Sequence, residues 1–463
     1  MRPYEFRWKN FRCFEDTKWR NIKPLTIFIG PNNSGKTSLI LPFLLMKQSL
    51  ESLDLDTPLK LSGNYVDLGD YKHCVFNNDV NENIEFKIRL VDYDKKNNDT
   101  EINEDAPVEL NIKFKKGTPK KRIRLDEYII KNLKGKILLK IKLKRVLYGI
   151  KRYKFELSTP IKSLLVKPNN FLFLPEPVIT QIVQRKMLKN DKLFQKSFSR
   201  YISILALSSI VQDILERMDF VGQLREKPKR IFYLSGDRPG AVGATGEKTA
   251  EILWLNRGTK FERDINEILN DRFDGIKIKI ERVGERISWA FRLLIRDKSG
   301  KLWVDLADSG FGYSQILPII VQGLYTPKGD IFITEEPEIH LNPKIQSQLG
   351  DFFVHLATEE KKFVILETHS EHLLLRIRTL IAEEKIKNTD VALYFVERKN
   401  GVSNIKHIPI HQSGNIDDKD WPEEFFDDTL TGSLRLSSAQ REWHKKHVKK
   451  TKQIKHKTYE DVG

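Results

Sequence analysis

The order of apolar and polar positions divides the chain into stretches of different period. Leu25–Ile29 is a short, apolar, β-branched run that predicts a buried strand, and Ser38–Leu50 has the spacing and length of a helix. Further on, Ile84–Leu90, Ile112–Lys115 and Leu139–Lys144 alternate apolar with polar residues. Period two with lysine on one side predicts an antiparallel sheet, half buried, with a basic outer face. The acidic, Asn-rich stretch Asp92–Glu109 between these strands predicts a mobile loop. Residues 160–225 change to helical spacing, with Phe198, Ile202, Leu205, Ile210, Ile214 and Met218 in one series between Phe194 and Val221. Packing in a core or against a partner chain accounts for that series. Residues 231–305 return to strands and one helix, beginning near Thr249 after a Gly-rich loop. An apolar helix is then predicted over Ile316–Leu324, and two more buried strands over Asp330–Thr334 and Lys362–Leu366.

Composition narrows the classes. A chain of 463 residues with 40% hydrophobic residues has room for two or three domain-sized units. No run approaches the roughly 18 apolar residues of a membrane span, and the N terminus is too charged for a signal peptide. Two cysteines, Cys13 and Cys74, form neither a disulfide framework nor a zinc pattern, which points to a reducing, cytoplasmic setting. The net charge of +17 is uneven: residues 111–157 hold 17 basic against 3 acidic residues, and the tail from Arg441 holds 8 against 3. Such clustering suits a polyanion, DNA or RNA first, or else is a solvated basic face.

The chemistry starts between the first buried strand and its helix. Gly30–Thr37, Gly-Pro-Asn-Asn-Ser-Gly-Lys-Thr, meets the phosphate-loop pattern GxxxxGK(S/T) at every fixed position and lies in the strand–loop–helix context that the pattern needs. Gly30 and Gly35 let the backbone wrap phosphates, with Asn32, Asn33, Ser34 and Ser38 in or beside the same turn. Lys36 is placed for the β- and γ-phosphates of ATP, and Thr37 for Mg²⁺. The strand at 330–334 runs into Glu335 and Glu336. The first is the candidate Mg²⁺ carboxylate and the second the candidate base that orients the attacking water.

Upstream, Ser309-Gly310-Phe311-Gly312-Tyr313-Ser314-Gln315 is a Gly-rich turn in which Ser309 or Ser314 can cap the following helix and help to bind an anion. His369 ends the strand at 362–366. With His372, Glu367 and Glu371 nearby, a metal site is one reading of His369, but no HExxH pattern is present and a γ-phosphate contact suits it better. His340 by itself reads as structural. Gly240–Thr249 imitates a phosphate loop but fails it, because Glu247 separates Gly246 from Lys248.

The order of phosphate loop, SGFGYSQ, ITEEPEIHLNP and LETHSEH resembles the ABC-type ATPases of the SMC and OLD branch. The resemblance implies an α/β fold, an ABC-type P-loop ATPase head with an inserted basic antiparallel β segment and a helical insertion. The head would span residues 1–80 and 231–410, the basic arm 81–157, the helical insertion 158–230 and a C-terminal extension 411–463. It implies ATP and Mg²⁺ as ligands and a head-to-head dimer or higher oligomer. In that dimer the signature residues Ser309, Gly310, Gly312, Ser314 and Gln315 reach a neighbour's nucleotide. It also makes Asn342 the D-loop residue, His369 the switch histidine and Arg12 a nucleotide contact, and it relates Gln48 to the Q-loop glutamine. The stretch Gly414–Asp427 resembles a subgroup of OLD-like ATPases found beside effectors in phage-defence systems such as the Septu and PARIS types. That likeness implies an ATPase scaffold for a separately encoded nuclease. No Toprim nuclease is visible in the chain itself. A DNA-repair or chromosome-associated ATPase acting directly on DNA, and a scaffold with structural ATP, are the other readings. Transport is disfavoured.

Overall fold

The computed structural model describes residues 2–52, 57–91, 107–118, 121–132, 134–147, 150–157, 212–284, 289–298, 300 and 302–420. The chain divides into two units, Met1–Asn415 and Ile416–Gly463. The described part of the second holds one 3-10 turn, Asp418–Asp420.

The first unit opens with β1 (Arg2–Phe11), β2 (Phe14–Asp16), β3 (Arg20–Asn21) and β4 (Leu25–Ile29), and continues with α1 (Thr37–Leu50) and the single turn α2 (Tyr71–Cys74). Five long strands follow: β5 (Ile84–Val91), β6 (Pro107–Thr118), β7 (Lys121–Asn132), β8 (Ile137–Leu147) and β9 (Ile150–Leu157). These pair antiparallel in the order β2-β1-β5-β6-β7-β8-β9, with β3 beside β1. Alternation builds this sheet. Phe6, Trp8, Ile84, Phe86, Ile88, Leu110, Ile112 and Phe114 are all buried on one side. A register shift between Lys113 and Phe114 changes the phase in β7, from Ile123 and Leu125 to Tyr128 and Ile130.

The outer face carries acids interleaved with the expected lysines. Lys113 pairs with Glu85 and Glu127, Lys140 with Glu127, Lys131 with Glu109, and Arg89 with Glu5 and Glu109. The acids come from neighbouring strands in register, so a charge count along one segment does not see them. Glu109, expected in a loop, lies inside β6 opposite Arg89 and Lys131. Residues 92–106 of that expected loop lie outside the described residues.

The second sheet is the nucleotide-type core. It contains β10 (Met218–Val221), β15 (Ile331–Glu335), β16 (Phe363–Glu367), β17 (Val391–Lys399) and β18 (Val402–Ile408) together with β4, in the order β10-β15-β16-β4-β17-β18. All its pairs are parallel except the β17–β18 hairpin. Met218–Val221 is buried at all four positions, and a short, fully buried run carries no period of its own. It therefore corrects the helical expectation at Met218. The rest of that series up to Ile210 lies outside the described residues.

A third, small sheet holds β11 (Phe232–Tyr233), β12 (Lys277–Arg282), β13 (Ala290–Arg296) and β14 (Val304–Asp305). Two helices, α3 (Thr249–Leu255) and α4 (Lys260–Arg272), stand where one was expected, separated by a turn at Asn256–Thr259. The remaining helices are α5 (Phe311–Tyr325), α6 (Pro343–Thr358) and α7 (Glu371–Ala382).

Helix α1 is buried on every side from Ser38 to Ser49, as a helix between two sheets must be. Trp8 fastens it to the antiparallel sheet. The indole lies 5.0 Å from the rings of Phe6 and Phe43 and 5.4 Å from Phe86, and its Nε1 donates to the Leu39 carbonyl at 2.9 Å. Gln48 serves the same architecture. Its amide bonds Lys60 O and both backbone groups of Val66, so it clamps the segment after α1 and lies away from the Q-loop role.

Candidate active site

Ligands of open α/β sheets bind beyond the carboxyl ends of the strands. Here β15, β16 and β4 are neighbours, so residues up to 330 positions apart in sequence meet at one edge. β4 ends in the Gly30–Thr37 loop, β15 in Glu335 and Glu336, and β16 in Glu367 and His369. A cavity of about 940 Å³ opens there, lined by Asn32, Asn33, Gly35, Lys36, Thr37, Ser38, Glu336, Glu367 and His369. Arg12, Cys13, the segment His73–Asn78 and the β17–β18 tip at Arg398 and Gly401 line the rest.

The loop conformation needs its glycines. Gly30 has φ +149° and a Cβ there would run into the Val396 carbonyl; Gly35 has φ +106° and a Cβ would run into Cys13 Sγ. Lys36 Nζ donates to the carbonyls of Gly30 at 3.1 Å and Pro31 at 3.0 Å. Burial pulls its pKa down, and the carboxylates of Glu367, Glu336 and Glu338 oppose that. Thr37 Oγ1 donates to Glu367 Oε1 at 3.1 Å, and Lys36 Nζ stands 3.8 Å from the same oxygen. Ser34 is buried within the loop, and its carbonyl accepts from Ser403 Oγ at 2.6 Å.

The carboxylates crowd together. Ligand atoms of Glu336, Glu367 and His369 all lie within 4.8 Å of one another. Burial first, then neighbouring acids, push Glu335 up to about 8; burial raises Glu367 to about 7 against the pull of Lys36. Glu335 Oε1 and Glu367 Oε2 are buried with no hydrogen-bond partner. Buried, unsatisfied carboxylate oxygens beside a threonine hydroxyl form a donor set that fits Mg²⁺, which takes hard oxygen ligands. Glu335 itself does not line the cavity, whereas Glu336 does.

Glu336 sits in the left-handed region at φ +41°. Its N–H donates to the Glu367 carbonyl at 2.8 Å. Arg225, buried behind it, donates from Nη2 to the carbonyls of both Glu335 and Glu336 at 3.1 Å. His369 Nε2 is 3.9 Å from Glu336 Oε1, and its backbone N–H donates to Glu338 Oε1 at 2.5 Å. Burial and the nearby Lys36 lower the His369 pKa to about 4, so the ring is neutral at pH 7. It can therefore contribute a hydrogen bond but no positive charge.

The signature residues lie elsewhere. Ser309, Gly310, Gly312, Ser314 and Gln315 surround the start of α5, and none of them lines the cavity. Gly310 occupies the cap position without a side-chain bond, and Ser309 Oγ donates to the Leu306 carbonyl. This corrects the expectation that Ser309 or Ser314 caps the helix. Ser314 is buried, one turn too far along to reach the free N–H groups. Gly312 approaches the His340 carbonyl at 3.7 Å, measured from an added Cβ, so the signature turn and the 338–343 segment pack together. Asn342 caps α6, its Oδ1 accepting from Ile345 N at 3.0 Å. Arg12, at φ +54° in the β1–β2 turn, lines the cavity.

Two features escaped sequence reading, Arg225 and the His73–Asn78 segment, while Glu367, named there only in the metal reading of His369, joins Glu336 and His369 in one cluster. For Glu367 a signal existed, since Val364-Ile-Leu-Glu367 ends a buried strand in a carboxylate just as Ile331–Glu335 does.

A phosphate loop facing a strand-end acidic cluster defines a nucleoside triphosphatase class of site. The chain belongs to the AAA ATPase domain family, whose family model matches residues 5–374. A second family model, Protein of unknown function (DUF3696), matches residues 386–436. No curated protein matches the chain. Among solved structures, the Smc head bound to the C-winged helix domain of ScpA is 12% identical, with 89% of this chain and 99% of that one covered and a TM-score of 0.43. The Pyrococcus furiosus Smc head with an extended coiled coil, bound to the C-terminal domain of ScpA, is 10% identical over 95% and 99%, with a TM-score of 0.40. The Thermotoga maritima SMC head domain is 10% identical over 88% and 99%, at 0.37. Among the described residues no helix is long and apolar enough to cross a membrane.

Proposed function

We propose that the chain binds and hydrolyses ATP at this cavity, and that two copies pair head to head so that each signature turn meets the other's nucleotide. The convergence of Glu336, Glu367 and His369 on Lys36 and Thr37 carries the reading. Lys36 and the backbone N–H groups opening α1 bind the β- and γ-phosphates. Glu336 accepts a hydrogen bond from the attacking water and orients it in line with the γ-phosphorus. Neutral His369 donates a hydrogen bond to the γ-phosphate oxygens. Thr37 with a strand-end carboxylate would hold Mg²⁺, which would supply charge neutralisation on the phosphates. Signature residues packed away from their own chain's cavity favour the head-to-head arrangement.

Arg225 acts by positioning the Glu335–Glu336 backbone. Arg225→Met is expected to lower turnover by about 10- to 100-fold, the cost of a misplaced catalytic group, and to leave ATP affinity at its wild-type value. Affinity falling in step with turnover would assign Arg225 to binding instead.

The role we propose for the ATPase is a scaffold that holds and regulates a separately encoded nuclease in anti-phage defence. The C-terminal resemblance supports this reading. The test is a tagged purification from the native gene neighbourhood, for wild type and Glu336→Gln with ATP, followed by mass measurement of the intact complex. A stoichiometric nuclease partner supports the scaffold. A bare dimer carrying only nucleic acid supports the SMC-like reading, in which the chain acts on DNA directly.

The basic arm offers a separate check. Lys116, Lys136 and Lys142 are exposed, whereas Lys113 and Lys140 are engaged by acids. Reversing Lys116, Lys136 and Lys142 to Glu is expected to weaken nucleic-acid binding and to flatten its log–log salt slope by about 0.9 for every phosphate that is no longer neutralised. An unchanged slope would leave those lysines as a solvated face.

A further inference from the structure

Strand order makes the two cross-strand acids unequal. β16 lies directly beside β4, and β15 lies one strand further out. Glu335 and Glu367 are register partners, so their side chains leave the sheet on the same side. The extra distance from Glu335 to the phosphate loop is therefore one strand spacing, about 4.8 Å. Glu367 is the acid in reach. Its Oε1 already accepts from Thr37 Oγ1 at 3.1 Å and lies 3.8 Å from Lys36 Nζ. The residue is only 3% exposed yet lines the cavity, and its second oxygen, Oε2, has no hydrogen-bond partner. A buried carboxylate with an unused oxygen, facing a cavity beside a threonine hydroxyl, is a ligand position waiting for a hard cation.

We propose that Glu367, together with Thr37, holds the divalent cation of the bound nucleotide, directly or through a water, in the place that the strand-end pattern assigns to Glu335. The proposal rests on the ATP reading above and adds to it the identity of the carboxylate. Glu335 then lies behind Glu367 as a buried neighbour that does not line the cavity. Glu336 stays free to face the water, because its N–H is held by the Glu367 carbonyl at 2.8 Å. β16 thus delivers both the carboxylate for the metal and the backbone acceptor that fixes the base.

The test measures metal binding rather than turnover. Mn²⁺ is titrated into the full chain with a non-hydrolysable ATP analogue, and free Mn²⁺ is read by electron paramagnetic resonance. Analogue binding is measured separately in chelator. Glu367→Gln is expected to weaken Mn²⁺ by about 10- to 100-fold, the scale seen when a metal site loses a supporting group. Metal-free analogue binding should stay the same or tighten, since one negative charge beside the phosphates is gone. Glu335→Gln should leave Mn²⁺ affinity close to wild type. Glu367→Asp, which keeps the charge but withdraws it by one methylene, should also weaken Mn²⁺ and serves if the Gln variant does not fold. Mn²⁺ affinity that is unchanged in the Glu367 variants, or lost in Glu335→Gln alone, overturns the proposal. Wild-type protein that binds no analogue with or without metal removes the ATP reading itself, and the proposal with it.

Discussion

Replacing Glu336 by Gln is expected to leave ATP bound and to slow its hydrolysis by about 100- to 10,000-fold, the range contributed by a positioned general base. The side chain lines the cavity, and its backbone is held on both sides, by the Glu367 carbonyl and by Arg225 Nη2. A left-handed residue at φ +41° persists only where its surroundings over-determine it. Gln preserves the shape and those backbone bonds, so the phosphate contacts of Lys36 and the loop are untouched. Gln cannot take up a proton from water. His369 is a poor substitute, since burial and the nearby Lys36 lower its pKa to about 4 and so oppose its taking up a proton. Phosphate release under saturating ATP, set beside the affinity for a non-hydrolysable analogue, is the measurement. Unchanged turnover would take Glu336 out of the role of base; lost affinity would show that it binds nucleotide instead.

The largest stability effect is expected at a residue outside the site. Trp8→Ala should cost about 3–5 kcal/mol, the range for deleting a large buried aromatic, because the indole is fully buried among Phe6, Phe43 and Phe86. It would also deprive the Leu39 carbonyl of its indole donor. Chemical unfolding measures the loss. Leu39 lies two residues beyond Thr37, so the same substitution should loosen the start of α1 and weaken nucleotide affinity. A cost near about 1 kcal/mol, typical of any substitution, would mean that the antiparallel sheet and α1 hold together without this ring.

What could be read from the sequence was whatever depends on neighbours along the chain. The Gly30–Thr37 loop, the carboxylates after Ile331–Thr334 and the alternation in β5 to β8 are local patterns, and local geometry dictates them. The mixed α/β fold was what the resemblance carried by those motifs implied. Tertiary placement was hidden. The resemblance related Gln48 to the Q-loop glutamine, yet its amide is consumed by Lys60 and Val66. Which of two strand-end acids faces Thr37 depends on β16 being inserted between β15 and β4, and no spacing encodes strand order. Arg225 follows a four-residue buried strand that reads equally well as a turn of helix. The lysines of the antiparallel sheet looked unbalanced because Glu85 and Glu109 reach Lys113 and Lys131 from other strands.

The hairpin of β17 and β18 sets a timing for biosynthesis. Ser403 Oγ supports the Ser34 carbonyl across 369 residues of chain, Ser403 N–H donates to the Cys13 carbonyl, and Val396 closes over Gly30. β4 likewise gains its second parallel neighbour only from β17. At about 5–20 residues per second, the ribosome delivers these partners roughly 20–75 s after the phosphate loop has been made. Over that interval the antiparallel sheet and α1 can already pack around Trp8, but the loop lacks the Val396 and Ser403 contacts. A ribosome stalled before residue 391 would therefore present a phosphate loop without the supports that Val396 and Ser403 give it.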